Sequence, residues 1–440
     1  MCLPNREKDN VIKNKKINIG IGFVTGRKNF RKVVRSYLND WKDSQTIDIK
    51  KYALHLFVAY DLKFTNTELS DYQIVDEEIL DLIDSVHYLG KAAIANEASA
   101  LVSKKILSVR DAKLIFGEGY AMKRNAVLYF AMLNKMDELI FLDDDEYPIA
   151  NVQMGESLMW VGQSVLESHI QNIKGSDMTN GCHCGYISPI PKISFDENFT
   201  EHDFQIFIEA ISNDIINWES VREKMENGGV TYADIGKIDH GVVSEVKEKN
   251  GMKFISGANL GINLKDPDKL FPFYNPPGAR GEDTFLSTCI GENIITRIPC
   301  YTFHDGFSAY GSLLSGALPN ELKAMKSNGG SVSKRFLKAS IGWVRYKPLL
   351  LYITQRAKYE DAMENIEKSL RFTIPKICKH FGNDDFYVLL EELDFFRKHV
   401  AEHYQDFENT KQAWMRIMHS MTLNKVLTTV DCNLELSEST

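Results

Sequence analysis

Two nine-residue apolar runs on either side of one amphipathic helix limit what this chain can fold into. Ile17 to Thr25 (INIGIGFVT) and Tyr52 to Tyr60 (YALHLFVAY) are apolar almost throughout. Such runs read as buried strands rather than half-exposed ones. Between them, Phe30, Val33, Val34, Tyr37, Leu38 and Trp41 recur at helical spacing. The chain therefore opens β-α-β, the signature of a parallel sheet carrying helices on its faces.

A further buried strand, Glu138 to Leu142 (ELIFL), runs directly into Asp143-Asp144-Asp145-Glu146. Open α/β sheets bind their ligands at the carboxyl ends of the strands. Three acidic residues there stand where a ligand would lie. Along the rest of the chain the spacing predicts helices over 79–83, 91–107 and 122–136, and a short strand over 113–116. An insertion over about 151–250 reads as helices (155–173 and 203–226) around an extended segment, 178–190. A strand follows over 254–264, a loop over 276–281, a helix over 282–289 and an extended run over 293–303. The pattern from 319 is mainly helical to 421, broken at Gly329-Gly330 and Gly382-Asn383. Residues 1–16 read as a disordered leader and 429–440 as a loose tail. The domain plan is thus a catalytic unit over 17–318 and a helical C-terminal region over 319–428.

Charge and cysteine content narrow the function classes. A net charge of −8 argues against a uniformly basic, nucleic-acid-binding surface. Seven scattered cysteines without a CxxC pair fit free thiols in a reducing compartment. Cys182-His183-Cys184 lacks a second ligand pair at zinc spacing and reads as structural. The N-terminal segment has no apolar core of the kind a signal peptide needs, and no run is long enough to span a bilayer. These features place the protein in the cytoplasm, with contact at the inner face of the membrane as the alternative.

Several short segments carry chemistry. A strand running into Asp143-Asp144-Asp145 puts at least two carboxylates near one site, and alternation favours Asp143 and Asp145 as the pair. Carboxylates of this kind hold Mg²⁺ or Mn²⁺ alongside phosphate oxygens; an acidic turn satisfied by water is the alternative. Upstream, Gly117-Glu118-Gly119 opens a helix bearing Lys123 and Arg124, which could approach phosphate or base. Downstream, Gly257-Ala258-Asn259 offers small residues for close backbone approach. Glu282-Asp283 at a helix start could orient an acceptor hydroxyl and take its proton, or could simply cap the helix. His304, at a strand end, could complete a metal shell or be structural.

In order, these pieces resemble the glycosyltransferases of the GT-A fold, particularly family 2-like members. The likeness spans about residues 17 to 310. It implies an α/β fold with a mainly parallel sheet flanked by helices. It implies that Thr25 and Arg27 lie beside the nucleotide and that Asp61 binds the base. Lys123 and Arg124 match the Gly-x-x-x-x-Arg-Asn segment, Asp143 to Asp145 the Asp-x-Asp motif, and Gly257 and Asn259 the Gly-x-Asn segment. Asp143, Asp144 and the other residues named would then contact a nucleotide-sugar donor, while Asp143, Asp145 and His304 would bind the metal. Glu282 and Asp283 match the Glu-Asp motif. An inverting enzyme would use Asp283 as base; in a retaining one the same pair would position the acceptor. The implied acceptor is a glycan, a lipid-linked molecule or a small molecule.

Two other readings compete. A sugar nucleotidyltransferase would release pyrophosphate from a nucleoside triphosphate. A silent nucleotide- or glycan-binding protein would do no chemistry. The long insertion and the helical region after Pro319 depart from the minimal fold. That region could pack as an accessory lobe, make a homo-oligomer contact or lie on a membrane. For the basic and aromatic stretch Lys334 to Lys347 the two choices are a helix on anionic lipid and a helix packed on the catalytic domain.

Overall fold

In the computed structural model, residues 16–44, 47–212 and 218–437 are described, those after 423 as backbone alone. The expected leader up to residue 15 lies outside the described residues. The strands are β1 (Ile17–Thr25), β2 (Tyr52–Tyr60), β3 (Ser85–Leu89), β4 (Glu138–Leu142), β5 (Glu146–Tyr147), β6 (Ile149–Met154), β7 (Ser157–Gly162), β8 (Met178–Gly185), β9 (Ser244–Glu245), β10 (Leu260–Asn263) and β11 (Ile295–His304). The helices of the first half are α1 (Phe30–Lys42), α2 (Glu77–Leu80), α3 (Lys91–Ser103), α4 (Val109–Phe116), α5 (Tyr120–Leu133) and α6 (Val165–Asn172). Those of the second are α7 (Glu201–Ile211), α8 (Trp218–Glu226), α9 (Ile235–His240), α10 (Glu282–Ser287), α11 (Gly330–Thr354), α12 (Tyr359–Phe381), α13 (Val388–Lys398) and α14 (Val400–Ser437).

The main sheet runs β3-β2-β1-β4-β10-β8-β11-β5, with β9 on β11. Its first four strands are parallel, with Ile17 opposite Tyr52 and Ile19 opposite Glu138. From there the pairing mixes. β10 runs antiparallel to both β4 and β8, β8 and β11 are parallel, and β5 returns antiparallel. The fold is α/β as expected, but the sheet is mixed, and the expectation of a mainly parallel one describes its first half. Direct connections feed β4 into β5 with too few residues for a crossover, so the short strand turns back.

Apolar side chains fill both faces of the sheet. On one, Ile19, Ile21 and Phe23 pack with Phe30, Val34 and Tyr37 of α1 and with Leu166 and Ile170 of α6. On the other, Phe57, Leu139 and Phe141 pack with Val127 and Leu128 of α5. Trp414, Ile417 and Met418 of α14 join this second face. A third core unites insertion and C-terminal region, with Phe204 and Phe207 of α7 against Phe336 of α11 and Ile374 of α12. The Lys334 to Lys347 stretch thus turns Phe336, Trp343, Val344 and Tyr346 inward, and that apolar face is used up in packing. No helix among the described residues is long and apolar enough to cross a membrane.

Four expectations fail locally, in whole or in part. The segment 113–116 is the end of α4, not a strand. Ser108 and Asp111 form a reciprocal cap that starts the helix at Val109, about one turn earlier, and Ala112, Ile115 and Phe116 bury its inner face. The segment 155–173 divides: its first half, 155–162, closes the β6–β7 hairpin, turned at Gly155-Glu156, and the expected helix is found only from Val165. The strand expected over 254–264 narrows to β10. Before it, the Ser256 amide donates to the Asn180 side chain at 3.1 Å and the Gly257 amide to Asp283 at 3.2 Å, so the backbone is bonded to side chains instead of a ladder. The tail read as loose from 429 continues α14 as helical backbone to Ser437.

Candidate active site

The strand order reverses at β1, which has β2 on one side and β4 on the other. Such a switch point opens a crevice at the carboxyl ends of the two strands. Here those ends supply Thr25-Gly26-Arg27 and Asp143-Asp144-Asp145, and the two segments are bonded to each other. Thr25 Oγ1 donates to Asp144 Oδ2 at 2.6 Å. Arg27 Nη1 lies 2.9 Å from Asp144 Oδ1 and 2.6 Å from Asp145 Oδ2. His304, at the end of β11, brings Nε2 to 3.4 Å from the same Asp145 oxygen. The Asp305 amide donates to the Asp145 carbonyl at 2.8 Å and fixes this junction.

Arg124 ties the acidic segment to the opposite wall. It is only 1% exposed. Its Nη2 donates to Asp143 Oδ1 at 2.9 Å, Nη1 donates to the Gly257 carbonyl, and Nε sits 3.5 Å from Glu282 Oε1. Aromatic faces of Tyr120, Phe141 and Phe273 surround the guanidinium, which favours a cation there. Gly257 leaves little room for a side chain here. A Cβ would stand 3.2 Å from Arg124 Cζ and 3.4 Å from Asp283 Cβ. The close approach at Gly257 therefore admits Arg124. Asp283 is aimed by two amides, those of Gly257 at 3.2 Å and Thr284 at 2.8 Å. The carboxylates at 143–145, the pair at 282–283 and the imidazole at 304 thus belong to one connected network.

Burial and neighbouring charge divide the carboxyl groups. Burial pushes Asp144 up to about 6 against the pull of Arg27. Burial works the same way on Asp145, but His304 and Arg27 outweigh it and hold that carboxyl well below the usual range. His304 is raised to about 9: burial opposes its charge, yet Asp145 and then Glu146 prevail. At neutral pH it is an imidazolium. Glu282 rises to about 7 through burial and the adjacent Asp283, with Arg124 opposing. A carboxyl near 7 is suited to proton exchange at physiological pH.

No protein-family model matches the chain, and no curated protein matches it. The site is therefore read from its own chemistry.

Two expected donor contacts are otherwise engaged. Asn259 is 0% exposed. Its Nδ2 donates to the carbonyls of Cys182 (3.1 Å) and Cys300 (3.2 Å), and its Oδ1 meets His169 Nε2 at 2.8 Å. The residue clamps three strands from behind the cleft and has no polar atom left for a ligand. Asp61 is paired with Lys123, so each occupies the other. Asp61 is nonetheless next to the switch point, its amide donating to the Thr25 carbonyl at 2.8 Å.

Four residues join the site that the motifs did not single out. Tyr120 donates to Asp143 at 2.9 Å. Glu146 is buried, takes a 2.6 Å hydrogen bond from Thr302 and pairs with His183 Nδ1 at 3.2 Å. The Nε2 of His183 has no partner among the described residues. Phe64, 60% exposed, lies against Gly26 beside Asp61, an open aromatic face next to the crevice. The signals were present. Glu146 closes the acidic run, and His183 sits at the parallel register position opposite Thr302; neither is decisive without the pairing.

Among the described residues no group of three or more His, Cys, Asp or Glu side chains is arranged to hold a metal. Arg27 already bridges Asp144 and Asp145. The side chains that could hold a divalent cation such as Mn²⁺ or Mg²⁺ are Asp145 and His304. Asp145 and His304 converge on one point, and hard cations commonly take one or two protein ligands and complete their shell with phosphate and water. Binding would require Arg27 to swing away and His304 to lose its proton.

Proposed function

We propose that this protein is a glycosyltransferase of the GT-A type, moving a sugar from a nucleoside-diphosphate donor to an acceptor hydroxyl. The observation that carries this reading is the joining, at one strand-order switch point, of Arg27, the three aspartates, His304 and the Glu282–Asp283 pair through Arg27 and Arg124. The nucleoside would lie over the ends of β1 and β2, with Phe64 offering a ring to the base and Asp61 a carboxylate. Lys123 would be released from Asp61 as the donor enters. A divalent cation held by Asp145 and His304 would neutralise the leaving diphosphate.

The acceptor hydroxyl would enter from the α10 side. Asp283, aimed by its two amides, takes the hydroxyl proton as the acceptor oxygen bonds to the anomeric carbon. The bond from that carbon to the diphosphate oxygen breaks, and the nucleoside diphosphate leaves with the electron pair. Glu282, close to half protonated at neutral pH, lies beside Asp283 and moderates its charge. Arg124 holds the α10 wall and the aspartate segment at a constant separation.

A thermal-shift panel of nucleoside diphosphates, with and without Mn²⁺, tests the reading. One nucleotide is expected to raise the melting temperature only with the metal, because a ligand that binds the native state stabilises it by mass action. The matching sugar nucleotide should then release that nucleoside diphosphate. Absence of stabilisation by every nucleotide, together with no sugar-nucleotide breakdown, would reject it. Pyrophosphate release from a nucleoside triphosphate would assign a nucleotidyltransferase instead.

A further inference from the structure

Three arginines from three distant segments lie near the acidic site, with Arg335 within electrostatic reach of Arg27, Arg280 and Asp145. Arg27 follows β1, Arg280 precedes α10, and Arg335 lies in the second turn of α11. The Arg335 guanidinium lies over the Phe307 ring at 5.3 Å. Phe307 is two residues beyond Asp305, whose amide is bonded to the Asp145 carbonyl. The stem of Arg280 crosses α11 at Gly342, where a Cβ would come within 2.7 Å of its Cδ and 2.8 Å of its Cγ. Arg345, also on α11, donates to the Gly278 carbonyl at 2.8 Å and holds the 276–281 loop in place. The C-terminal helix thus carries one arginine to the site and positions another.

Arg27 is neutralised by Asp144 and Asp145. Arg280 and Arg335 form no ion pair among the described residues. Half-burial lowers the pKa of Arg335, and Arg27 and Arg280 push the same way, while Asp145 and Asp305 oppose. Arg335 is half-buried and Arg280 exposed; like charges brought near one another repel, and an anion relieves that repulsion. The guanidinium fork matches the oxygens of a phosphate, and its N–H···O bonds are charge-assisted.

We propose that Arg27, Arg280 and Arg335 form a diphosphate-binding cradle, so that the C-terminal helical region is part of the donor site. The identity of the ligand as a donor diphosphate rests on the glycosyltransferase reading; the anion site itself does not. The stacking of Arg335 on Phe307 would also occur in a purely structural role, and the experiment separates the two.

The full chain is titrated calorimetrically with inorganic pyrophosphate in the presence of a chelator. Binding is expected without metal. R335Q and R280Q should each weaken it about tenfold, the scale of one lost charge-assisted contact. R335K should fall between R335Q and the unchanged protein, since it keeps charge and loses the fork. G342A should weaken binding a few-fold by displacing Arg280. R371Q, in an exposed pair on α12, should change nothing. Should R335Q fail to fold, R280Q and R335K carry the test. No pyrophosphate binding, or unchanged affinity in R280Q and the folded Arg335 variants, overturns the cradle. Loss of pyrophosphate binding in those variants with no sugar nucleotide ever used leaves the cradle standing and removes the glycosyltransferase reading. Sugar-nucleotide turnover with an unchanged KM in both variants does the reverse.

Discussion

On the β1–β4 side of the cleft almost every charge has its counter-charge. Asp61 faces Lys123, Asp143 faces Arg124, and Asp144 and Asp145 share Arg27. Across from it, on the side formed by α10 and α11, the balance is looser, with Glu282 only sharing Arg124 at 3.5 Å. Glu282 is pushed up to about 7, and Arg280 and Arg335 have no carboxylate partner among the described residues. The paired side keeps its shape without a ligand, since each desolvated charge is already compensated. The other side has arginines without a carboxylate partner among the described residues, one exposed and one half-buried. Preorganisation and binding drive are thus divided between the two walls.

The sharpest way to break this contrast is at Asp145, where the walls meet. D145A removes the shared partner of Arg27 and His304. Turnover of a sugar nucleotide with Mn²⁺ should fall at least about 1000-fold, or roughly 4 kcal/mol of barrier. Full activity in that variant would reject the assignment. Next comes the hub of the paired side. R124M strands Asp143 and frees the Gly257 carbonyl, and removing one partner of a buried pair costs about 3–5 kcal/mol. Urea unfolding reads it; a loss under about 1 kcal/mol would show that Arg124 is peripheral.

A smaller and pH-dependent effect belongs to the unpaired side. An unfolded Glu ionises near 4.5, whereas folded Glu282 ionises near 7. Between those values the folded state binds more protons than the unfolded one, so stability falls as pH rises through this window. E282Q removes the penalty. It should gain on the wild type as pH rises from 4.5 to 7, by on the order of 3 kcal/mol, hold that gain above 7, and match it below 4.5. A pH-independent difference would mean Glu282 is not strained. Smallest of all is D61N, which frees Lys123 on the paired side. It should raise the donor KM about fivefold, the scale of one hydrogen bond, while kcat stays level.

Much of the donor side was legible in the chain because it is built from local pattern. The apolar runs of β1, β2 and β4 announce buried strands, and the residues after them, Thr25, Asp61 and Asp143, are found at the strand ends. Elsewhere the local pattern misled. Ala112, Ile115 and Phe116 look like part of a strand until Ser108 and Asp111 are seen to cap a helix. Gly257 and Asn259 looked like ligand contacts. Gly257 instead admits Arg124, and Asn259 clamps β8, β10 and β11, because their neighbours come from segments tens of residues away. Glu146 and His183 gained meaning only when Thr302 was placed between them.

The sequence alone determined the order of strands and helices and where its acidic clusters would sit along them, since side-chain period and turn chemistry are properties of neighbouring residues. Only the tertiary structure decided which charges are paired, that β10 runs against its neighbours, and that a helix more than 300 residues from β1 lays Arg335 over Phe307 within reach of Asp145. Coulomb interaction and desolvation depend on distance and burial in space. Neither is written in the spacing of residues along a chain.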